Sequence, residues 1–237
     1  ELFRSFGRFV EGLGGRYITA EDVGTSIKDM DHVRTETKYV TGISKSLGGS
    51  GDPSLLTAFG TYLGIKASVK FKLKKDSLDG LSVVVQGLGS VGMELVKYLS
   101  SDGMQIFAFD IDHGLIDFAK KEYGVIPLSD DSLYDQEVDI YAPCALGATV
   151  NDDTIPRLKC SIIAGAANNV LKDPQKHSKE LLEKGILYAP DYAINAGGLI
   201  NVYNELEGYN KDRAFSQAEG IYDILMDIFC RSEKENI

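Results

Sequence analysis

The sequence feature that most constrains the fold is an apolar run followed by three closely spaced glycines and a helical pattern. It reads SVVVQGLGSVGMELVKYL and covers residues 82–99. In a strand–turn–helix unit of this kind, Gly87 permits a tight turn and Gly89 lets the backbone approach a bound group. Gly92 lets the helix pack closely against its strand. A glycine turn in an unrelated αβ unit is the alternative, so the surrounding sequence has to decide.

Two neighbouring features favour a dinucleotide-binding site. The helix after the glycines has free N–H groups at its start, which favour a pyrophosphate. Asp110 ends the next apolar run, MQIFAFD, where an acidic side chain accepts hydrogen bonds from a ribose. No Arg or Lys occurs in FDIDHG, and Asp112 adds negative charge, so NAD is favoured over NADP. The predicted cofactor-binding residues in this part of the chain are Gly87, Leu88, Gly89, Ser90, Val91, Gly92 and Asp110.

Short apolar runs alternate with helical patterns from Leu81 onward. The strand-like runs are SVVVQ, MQIFAFD, VDIYAPCA, CSIIAGAANN and ILYAP, and the helical patterns include SVGMELVKYLSS, GLIDFAKKEYG and PQKHSKELLEKG. This alternation is typical of βαβ units, and strands without a polar face are typical of a sheet covered on both sides. The predicted fold class is therefore α/β, with a Rossmann-type doubly wound parallel sheet.

The residues before Asp52 have a different pattern and are predicted to be the remnant of an amino-terminal α/β substrate domain. A first helical pattern has four apolar residues on one face: Leu2, Phe6, Phe9 and Leu13. It is followed by a strand-like RYITA, a helical TSIKDMDHVRTET and the turn-rich GGSGDPS, the best hinge candidate. We predict a substrate-domain remnant with hinge over 1–51 and an NAD-binding domain over 52–237. Uncapped helical patterns at both ends predict an internal fragment of a longer protein.

Composition and charge exclude several classes of function. The 237 residues include 35 acidic and 25 basic side chains, and the net charge of -10 disfavours nucleic acid and anionic membrane surfaces as partners. No apolar run approaches the roughly 20 residues of a membrane span. The three cysteines and three histidines are widely separated, which gives neither a disulfide framework nor metal-ligand spacing. No metal is therefore predicted, and a reducing cytoplasm is expected.

Seven stretches spread along the chain form a series with a recognisable order and spacing. They are GRYITAEDVGT, YVTGIS, GSGDPSLLTAFG, QGLGSVG, DIYAPCALGATVND, IAGAANN and APDYAINAGGLINV. This series resembles the glutamate/leucine/phenylalanine/valine dehydrogenase family, and most closely its leucine dehydrogenases. The resemblance covers essentially the whole chain. It implies an NAD-dependent, homo-oligomeric enzyme that oxidatively deaminates an L-amino acid to a 2-oxo acid and ammonia.

The resemblance implies that Asp22 is the catalytic aspartate that assists proton transfer at the substrate amino group. From the residues alone, an Asp followed by VGTS is more often a cap or turn residue. The neighbouring Glu21 is expected to be a solvated or capping side chain. The family also uses two lysines, a general base in a glycine-rich segment and a second that binds the substrate carboxylate. Lys28, Lys38 and Lys45 lie in sequence contexts unrelated to that glycine-rich segment, so none of them is assigned to either lysine role. Residues 1–237 alone are therefore expected to be inactive.

The resemblance also implies five further cofactor contacts, at Thr57, Ala142, Cys144, Asn169 and Asn195. Thr57 would contact the nicotinamide, although a helical Thr more commonly bonds its own backbone. Ala142 and Cys144 end a buried strand, where open α/β sheets bind ligands, and Cys144 is expected to pack as a small side chain rather than act as a nucleophile. The amides of Asn169 and Asn195 would bind the nicotinamide ribose or carboxamide. Turn formation beside glycine is the alternative for Asn195.

Three apolar residues match the family's pocket for the substrate side chain: Ala20, Leu199 and Val202. None of them pairs with a γ-carboxylate, so glutamate is disfavoured as a substrate. The resemblance implies a departure here, because leucine dehydrogenases tend to have valine in place of Leu199 and phenylalanine dehydrogenases can have leucine. One methylene changes discrimination by only about 1–3 kcal/mol, so this departure blurs the preference among leucine, isoleucine, valine and phenylalanine. Ordinary helix packing is the alternative role of Leu199 and Val202.

The predicted function is reversible NAD-dependent oxidative deamination of leucine, isoleucine or valine. Two alternatives stay open. One is a phenylalanine-preferring dehydrogenase of the same family, and the other is a catalytically incomplete NAD-binding module.

Overall fold

The computed structural model describes residues 1–22, 24–129 and 131–235. The chain divides into two compact units. Unit 1 comprises Glu1–Leu56 and Gly198–Ala218, and unit 2 comprises Thr57–Gly197 and Glu219–Ile237. Among the described residues, no helix combines the length and the apolarity needed to cross a membrane.

The domain division over 1–51 and 52–237 stays a prediction, and the compact units differ from it in two respects. The first division between units follows Leu56, a few residues beyond the predicted hinge. The segment 198–218 belongs to unit 1, although it follows the whole of the sheet in the sequence. The amino-terminal unit therefore includes a returning segment that a linear division of the sequence does not reveal.

Unit 2 is built on a six-stranded parallel sheet with the strand order β3-β2-β1-β4-β5-β6. The strands are β1 (Ser82–Gln86), β2 (Gln105–Phe109), β3 (Ile126–Pro127), β4 (Ile140–Pro143), β5 (Ile162–Ile163) and β6 (Leu187–Tyr188). The helices are most of α3 (Ser54–Leu73), then α4 (Ser90–Ser101), α5 (His113–Tyr123), α6 (Pro174–Glu183) and α7 (Asp191–Ile194), with part of α9 (Lys211–Glu235). The strand order reverses at β1, which opens a crevice beyond the carboxyl ends of the strands. The predicted α/β, Rossmann-type sheet is confirmed.

The central strands form because their side chains are apolar on both faces. Val83, Val84 and Val85 of β1 are fully buried, and every residue of β4 is buried. β5 is shorter than the run CSIIAGAANN suggests. Gly165 passes so close to Pro143 that an added Cβ would lie 2.2 Å from the Pro143 carbonyl oxygen, and the chain leaves the sheet there. The apolar run continues past the end of β5, so the length of this strand is explained by the close approach of Gly165 to Pro143 and not by a loss of apolar residues.

Capping side chains define where several helices begin. Asp173 accepts from the N–H groups of Gln175 and Lys176 at the start of α6. Asp112, which is not among the predicted site residues, accepts a hydrogen bond from the Gly114 N–H at 2.8 Å and caps α5. Carboxylates at these positions satisfy backbone donors that have no partner inside the helix.

Unit 1 contains α1 (Leu2–Gly12), α2 (Ile27–Arg34), two 3-10 helices (Lys45–Leu47 and Asn204–Glu207), α8 (Gly197–Tyr203) except its first residue, and the start of α9. Ser26 and Asp29 form a capping box at the start of α2. The predicted strand RYITA is wrong. Within the described part of the chain, only Thr19 pairs there, in an isolated parallel bridge with Val40, while Tyr17 and Ile18 are exposed.

Helix α1 is confirmed, but the apolar face predicted for it is not the face that packs within unit 1. Leu2, Phe6 and Phe9 are 77%, 37% and 65% exposed. The helix contacts α2 through Gly7, where an added Cβ would lie 2.8 Å from the Val33 carbonyl oxygen. A backbone approach this close needs glycine, because any side chain would separate the two helices.

Candidate functional site

The glycine-rich loop of unit 2 joins the end of β1 to the start of α4 without room for side chains. Gly87 has φ +98°, and an added Cβ would lie 2.9 Å from the Cys144 carbonyl oxygen. An added Cβ on Gly92 would lie 2.0 Å from the Gly87 carbonyl oxygen. Gly89, in contrast, has no atom within 4 Å of an added Cβ, so its outer side is open to a ligand. Gly87 and Gly92 therefore have the tight turn and the close packing expected of them, and contact of Gly89 with a bound group stays a prediction.

The start of α4 is suited to an anion. The helix begins at Ser90 after Gly89, and its first turn carries no acidic side chain. Ser90 is exposed and Val91 is half-buried, so their backbone N–H groups lie at the surface end of the crevice. Unpaired N–H groups and the helix dipole favour a pyrophosphate at this position.

Asp110 is held beside the glycine-rich loop by both of its carboxylate oxygens. Oδ2 accepts from the Leu88 N–H at 2.6 Å, and Oδ1 accepts from the Asp112 N–H at 2.8 Å. These bonds leave lone pairs on both oxygens for ribose hydroxyl groups. An open groove adjoins Asp110, and its apolar lining includes Ile111 and Leu128. The groove therefore combines a fixed carboxylate with apolar surface for a base.

The residues at the end of β4 lie beside the end of β1, where the glycine-rich loop begins. Ala142 is buried and pairs with Val85 of β1, and the Cys144 N–H donates to the Gln86 carbonyl at 2.7 Å. Burial of the Cys144 thiol raises its pKa to about 11. A thiol in this state is protonated at neutral pH and is a poor nucleophile. The expectation that Cys144 packs instead of reacting agrees with this environment.

The two asparagines predicted to bind cofactor have different surroundings. Asn169 is exposed, has φ +52°, and its carbonyl accepts from the Ala148 N–H at 2.7 Å. The amide nitrogen of Asn195 donates to the Ala166 carbonyl at 3.2 Å and to the Asn168 side chain. These two hydrogen bonds fix the orientation of the Asn195 side chain. A residue that only formed a turn beside glycine would not need them. Asn168, its side-chain partner, was not among the residues predicted from the sequence.

Thr57, the remaining predicted cofactor residue, lies in α3 and is half-buried. Its carbonyl accepts from the Thr61 hydroxyl at 2.9 Å. Thr61 is fully buried and bonds its own helix in this way, whereas the Thr57 side chain is on a partly accessible face.

In unit 1, Asp22 lies in a turn closed by Thr25. The Asp22 N–H donates to the Thr25 hydroxyl at 2.9 Å, and the Thr25 hydroxyl and N–H donate to the Asp22 carbonyl at 2.7 and 2.9 Å. Asp22 itself is exposed. The alternative that Asp22 is a turn residue therefore describes its backbone correctly. The side chain of Asp22 lies at the surface. This contact of Thr25 with the Asp22 backbone was not predicted from the sequence.

Glu21 does not behave as the solvated side chain that the sequence predicts. The residue is half-buried, and its Oε2 atom is buried without a hydrogen-bond partner among the described residues. Burial, and then the negative charges of Asp52 and Asp29, raise its pKa above the ordinary value. The correction has a simple cause, because Gly42 packs against the Glu21 backbone and removes solvent from one side.

The three predicted pocket residues all belong to unit 1. Ala20 is half-buried and lines an open groove together with Asp22 and Met30. Leu199 and Val202 lie in α8, where Leu199 is 73% exposed and Val202 is half-buried. Ordinary core packing therefore does not account for Leu199 within its own unit.

A polar cluster in unit 2 contains residue types that bind metals, but the hydrogen bonds of its histidine do not suit a metal ligand. Asp152, His177 and Glu180 have ligand-type atoms within 4.8 Å of one another. Lys176 donates to Asp152 and lowers its pKa. The His177 Nδ1 accepts from the Asp173 N–H at 3.0 Å, which leaves the proton of the neutral ring on Nε2, facing Asp152 at 3.4 Å. Because a protonated Nε2 is not a ligand, we interpret the cluster as a structural ion pair.

Comparison with known proteins identifies the family. Residues 110–231, more than half of the 237 in the chain, match the family model described as Glutamate/Leucine/Phenylalanine/Valine dehydrogenase. The chain belongs to this dehydrogenase family. The predicted family resemblance is confirmed.

Two curated relatives in the dehydrogenase family are similar over the whole chain. The leucine dehydrogenase of Thermoactinomyces intermedius is 52% identical over 236 residues, which cover 100% of this chain and 64% of the relative. The leucine dehydrogenase of Bacillus subtilis strain 168 is 50% identical over 237 residues, which cover 100% of this chain and 65% of the relative. The chain therefore spans slightly less than two thirds of the length of these relatives.

A solved structure in the dehydrogenase family has the same fold. The crystal structure of L-tryptophan dehydrogenase from Nostoc punctiforme aligns with a TM-score of 0.87 and 45% sequence identity. The alignment covers 100% of this chain and 67% of that chain. This chain and the solved tryptophan dehydrogenase therefore share one fold over the whole length of this chain.

Proposed function

We propose that this chain is the cofactor-binding part, with a portion of the substrate-binding part, of an NAD-dependent dehydrogenase. The enzyme would oxidatively and reversibly deaminate leucine, isoleucine or valine to the 2-oxo acid and ammonia. The observation that carries the proposal is the similarity to leucine dehydrogenases over the full length of the chain, at 52% and 50% identity. The glycine-rich loop and the fixed Asp110 beside it support the same reaction class.

The cofactor would be held by the crevice of unit 2. The N–H groups at the start of α4 would bind the pyrophosphate, and the open side of Gly89 would admit it. Asp110 would accept hydrogen bonds from the adenosine ribose hydroxyls and would repel a 2′-phosphate, which favours NAD over NADP. The amides of Asn169 and Asn195 would bind the nicotinamide ribose or carboxamide, with Thr57 near the nicotinamide. When bound, the nicotinamide supplies the acceptor for the hydride from the substrate α-carbon.

Asp22 would act on the substrate amino group. Its carboxylate is on an exposed turn whose backbone is fixed by Thr25, so it can approach a substrate without losing its orientation. A positioned carboxylate can accept a proton from an ammonium group and return it as ammonia leaves. The roles of general base and of carboxylate binding would belong to lysines of the family outside the stretches matched here.

The substrate side chain would lie against Ala20, Leu199 and Val202. These residues offer apolar surface and no cation, so a γ-carboxylate would be buried without a partner. A branched aliphatic side chain would bury its apolar surface against these residues and would leave no buried charge without a partner. Leu199 differs by one methylene from the valine usual in leucine dehydrogenases, so this residue alone does not separate phenylalanine from the aliphatic substrates.

The test is a substrate survey of the full-length protein that contains this chain. We expect NADH formation with leucine, isoleucine and valine, a smaller rate with phenylalanine, and little with glutamate or with NADP. Purified residues 1–237 alone serve as the control and should bind NAD without turning over leucine. Full-length protein that binds NAD but forms no NADH with any amino acid would support the alternative of an incomplete NAD-binding module.

We also propose a homo-oligomer and a reducing compartment such as the cytoplasm. The exposed apolar face of α1, with Leu2 and Phe9 more than half exposed, supports burial of this surface in the complete protein. Cys144, Cys160 and Cys230 are free thiols, which suits a reducing environment. Mass measurement of the full-length protein in solution tests the assembly.

A further inference from the structure

Glu205 is a carboxylate that binds two loops distant from it in the sequence. Its two oxygens accept from the Gly42 N–H at 3.1 and 3.0 Å, and Oε1 accepts from the Ser50 N–H at 2.7 Å. The Ser50 hydroxyl also donates to Oε1. Gly42 and Ser50 are buried, so this carboxylate takes the place of water as the partner of their donors. Hydrogen bonds to an ionised acceptor are among the stronger ones in proteins.

On one side, Glu205 is connected to the helix that carries the proposed pocket residues. It lies in the 3-10 helix that directly follows α8. The preceding residue, Asn204, is 1% exposed and donates to the Ile200 carbonyl at 2.9 Å, which fixes the end of α8. Leu199 and Val202 in α8 are therefore joined to Glu205 by a short segment whose last residue, Asn204, is buried.

On the other side, the Gly42 segment lies against the residues that precede Asp22. The Thr41 N–H donates to the Thr19 carbonyl at 2.8 Å. An added Cβ on Gly42 would lie 3.3 Å from the Cβ of Glu21. Ala20 is thus enclosed between two residues that contact the segment bound by Glu205.

We propose that Glu205 is a positioning residue that sets the selectivity for the substrate side chain. By bonding Gly42 and Ser50, it fixes α8, with Leu199 and Val202, relative to Ala20. The width of the side-chain pocket then depends on these bonds, although Glu205 does not line the pocket. This inference rests on the proposed function.

The experiment compares Glu205→Gln with Glu207→Gln in the full-length protein. Glu207 lies in the same 3-10 helix and is exposed, so its variant reproduces the change in charge. A glutamine at position 205 loses one acceptor and places an NH2 group against the donors of Gly42 and Ser50. We expect the KM for leucine to rise about tenfold, with kcat within about threefold of wild type. The leucine-to-valine ratio of kcat/KM should fall at least about threefold, and the KM for NAD should stay within about twofold.

A second variant covers the case in which Glu205→Gln does not fold. Ser50→Ala removes one hydroxyl donor and keeps the carboxylate, so its changes should be smaller and in the same direction. The inference is overturned if folded variants keep the leucine-to-valine ratio within about twofold while their melting temperature falls, because that is a structural role alone. Hydrogen exchange at the Gly42 and Ser50 amides should be slow in wild type and faster in Glu205→Gln. Wild-type protein that forms no NADH with any amino acid would instead overturn the proposed function.

Discussion

A Cβ atom on Gly92 would lie 2.0 Å from the carbonyl oxygen of Gly87. This relationship links the first and last glycines of the loop between β1 and α4. The Gly87 carbonyl fills the space where a side chain at position 92 would begin, and the start of α4 is thereby drawn to the end of β1. The geometry of the turn between strand and helix depends on this approach, and not only on the flexibility of glycine.

We expect Gly92→Ala to weaken NAD binding at least about tenfold and to destabilise the protein by about 1–3 kcal/mol, because the loop has to move. Titration of NAD and urea unfolding measure the two effects. Gly220→Ala in α9 is the matched control, since an added Cβ there meets no atom within 4 Å. It should stabilise the protein by about 0.5–1 kcal/mol and leave NAD binding unchanged. Equal effects of the two variants would contradict the steric explanation.

Asp110→Asn should weaken NAD binding about tenfold and reduce the preference for NAD over NADP. The amide has one acceptor oxygen where the carboxylate has two, so the Leu88 and Asp112 N–H groups and the ribose compete for it. Binding titrations with both dinucleotides check the result. Asp117→Asn, an exposed carboxylate along the same groove, controls for charge and should alter either affinity by no more than about twofold.

Asp22→Asn in the full-length protein should lower kcat about 100-fold or more, because an amide does not accept the substrate proton. NAD affinity should stay within about twofold of wild type. Steady-state kinetics and NAD titration separate the two. Glu21→Gln is the control and should keep kcat within about threefold. If NAD affinity collapsed together with kcat, Asp22 would be a structural residue.

Glu21→Gln should raise the melting temperature at neutral pH. The pKa of Glu21 is raised in the folded state, so between its unfolded and folded values the native protein binds more protons than the unfolded chain. The ionised carboxylate therefore costs stability progressively as the pH rises through this window. We expect a gain of about 1–3 °C at pH 7 that disappears below about pH 4, where the acid is protonated in both states. Thermal unfolding across this pH range, with Glu207→Gln as the exposed control, measures it. A gain that does not change with pH would contradict burial as the cause.

Local patterns were sufficient to predict five of the six strands described in unit 2, but not the two-residue strand β3. The valine run of β1, the three glycines and Asp110 lie close together in sequence, and each acts through backbone geometry or strand burial. Fold class, the position of the glycine-rich loop and the family follow from such short stretches. RYITA was misjudged, since β-branched and aromatic residues indicate a strand only when a partner strand is available, and Thr19 has a single bridging partner among the described residues.

The Rossmann-type sheet, the glycine-rich loop and the apolar character of Ala20, Leu199 and Val202 are all encoded in local sequence. The residues that hold these parts in position become apparent only in the folded chain. Glu205 contacts Gly42 across 163 positions and Ser50 across 155, and no periodicity or motif encodes a pairing at such a distance. Likewise, Glu21 looks solvated in sequence and becomes partly desolvated because Gly42 packs against it. Burial and hydrogen bonding depend on segments that meet only when the chain has folded, which is why the positioning residues were not predictable.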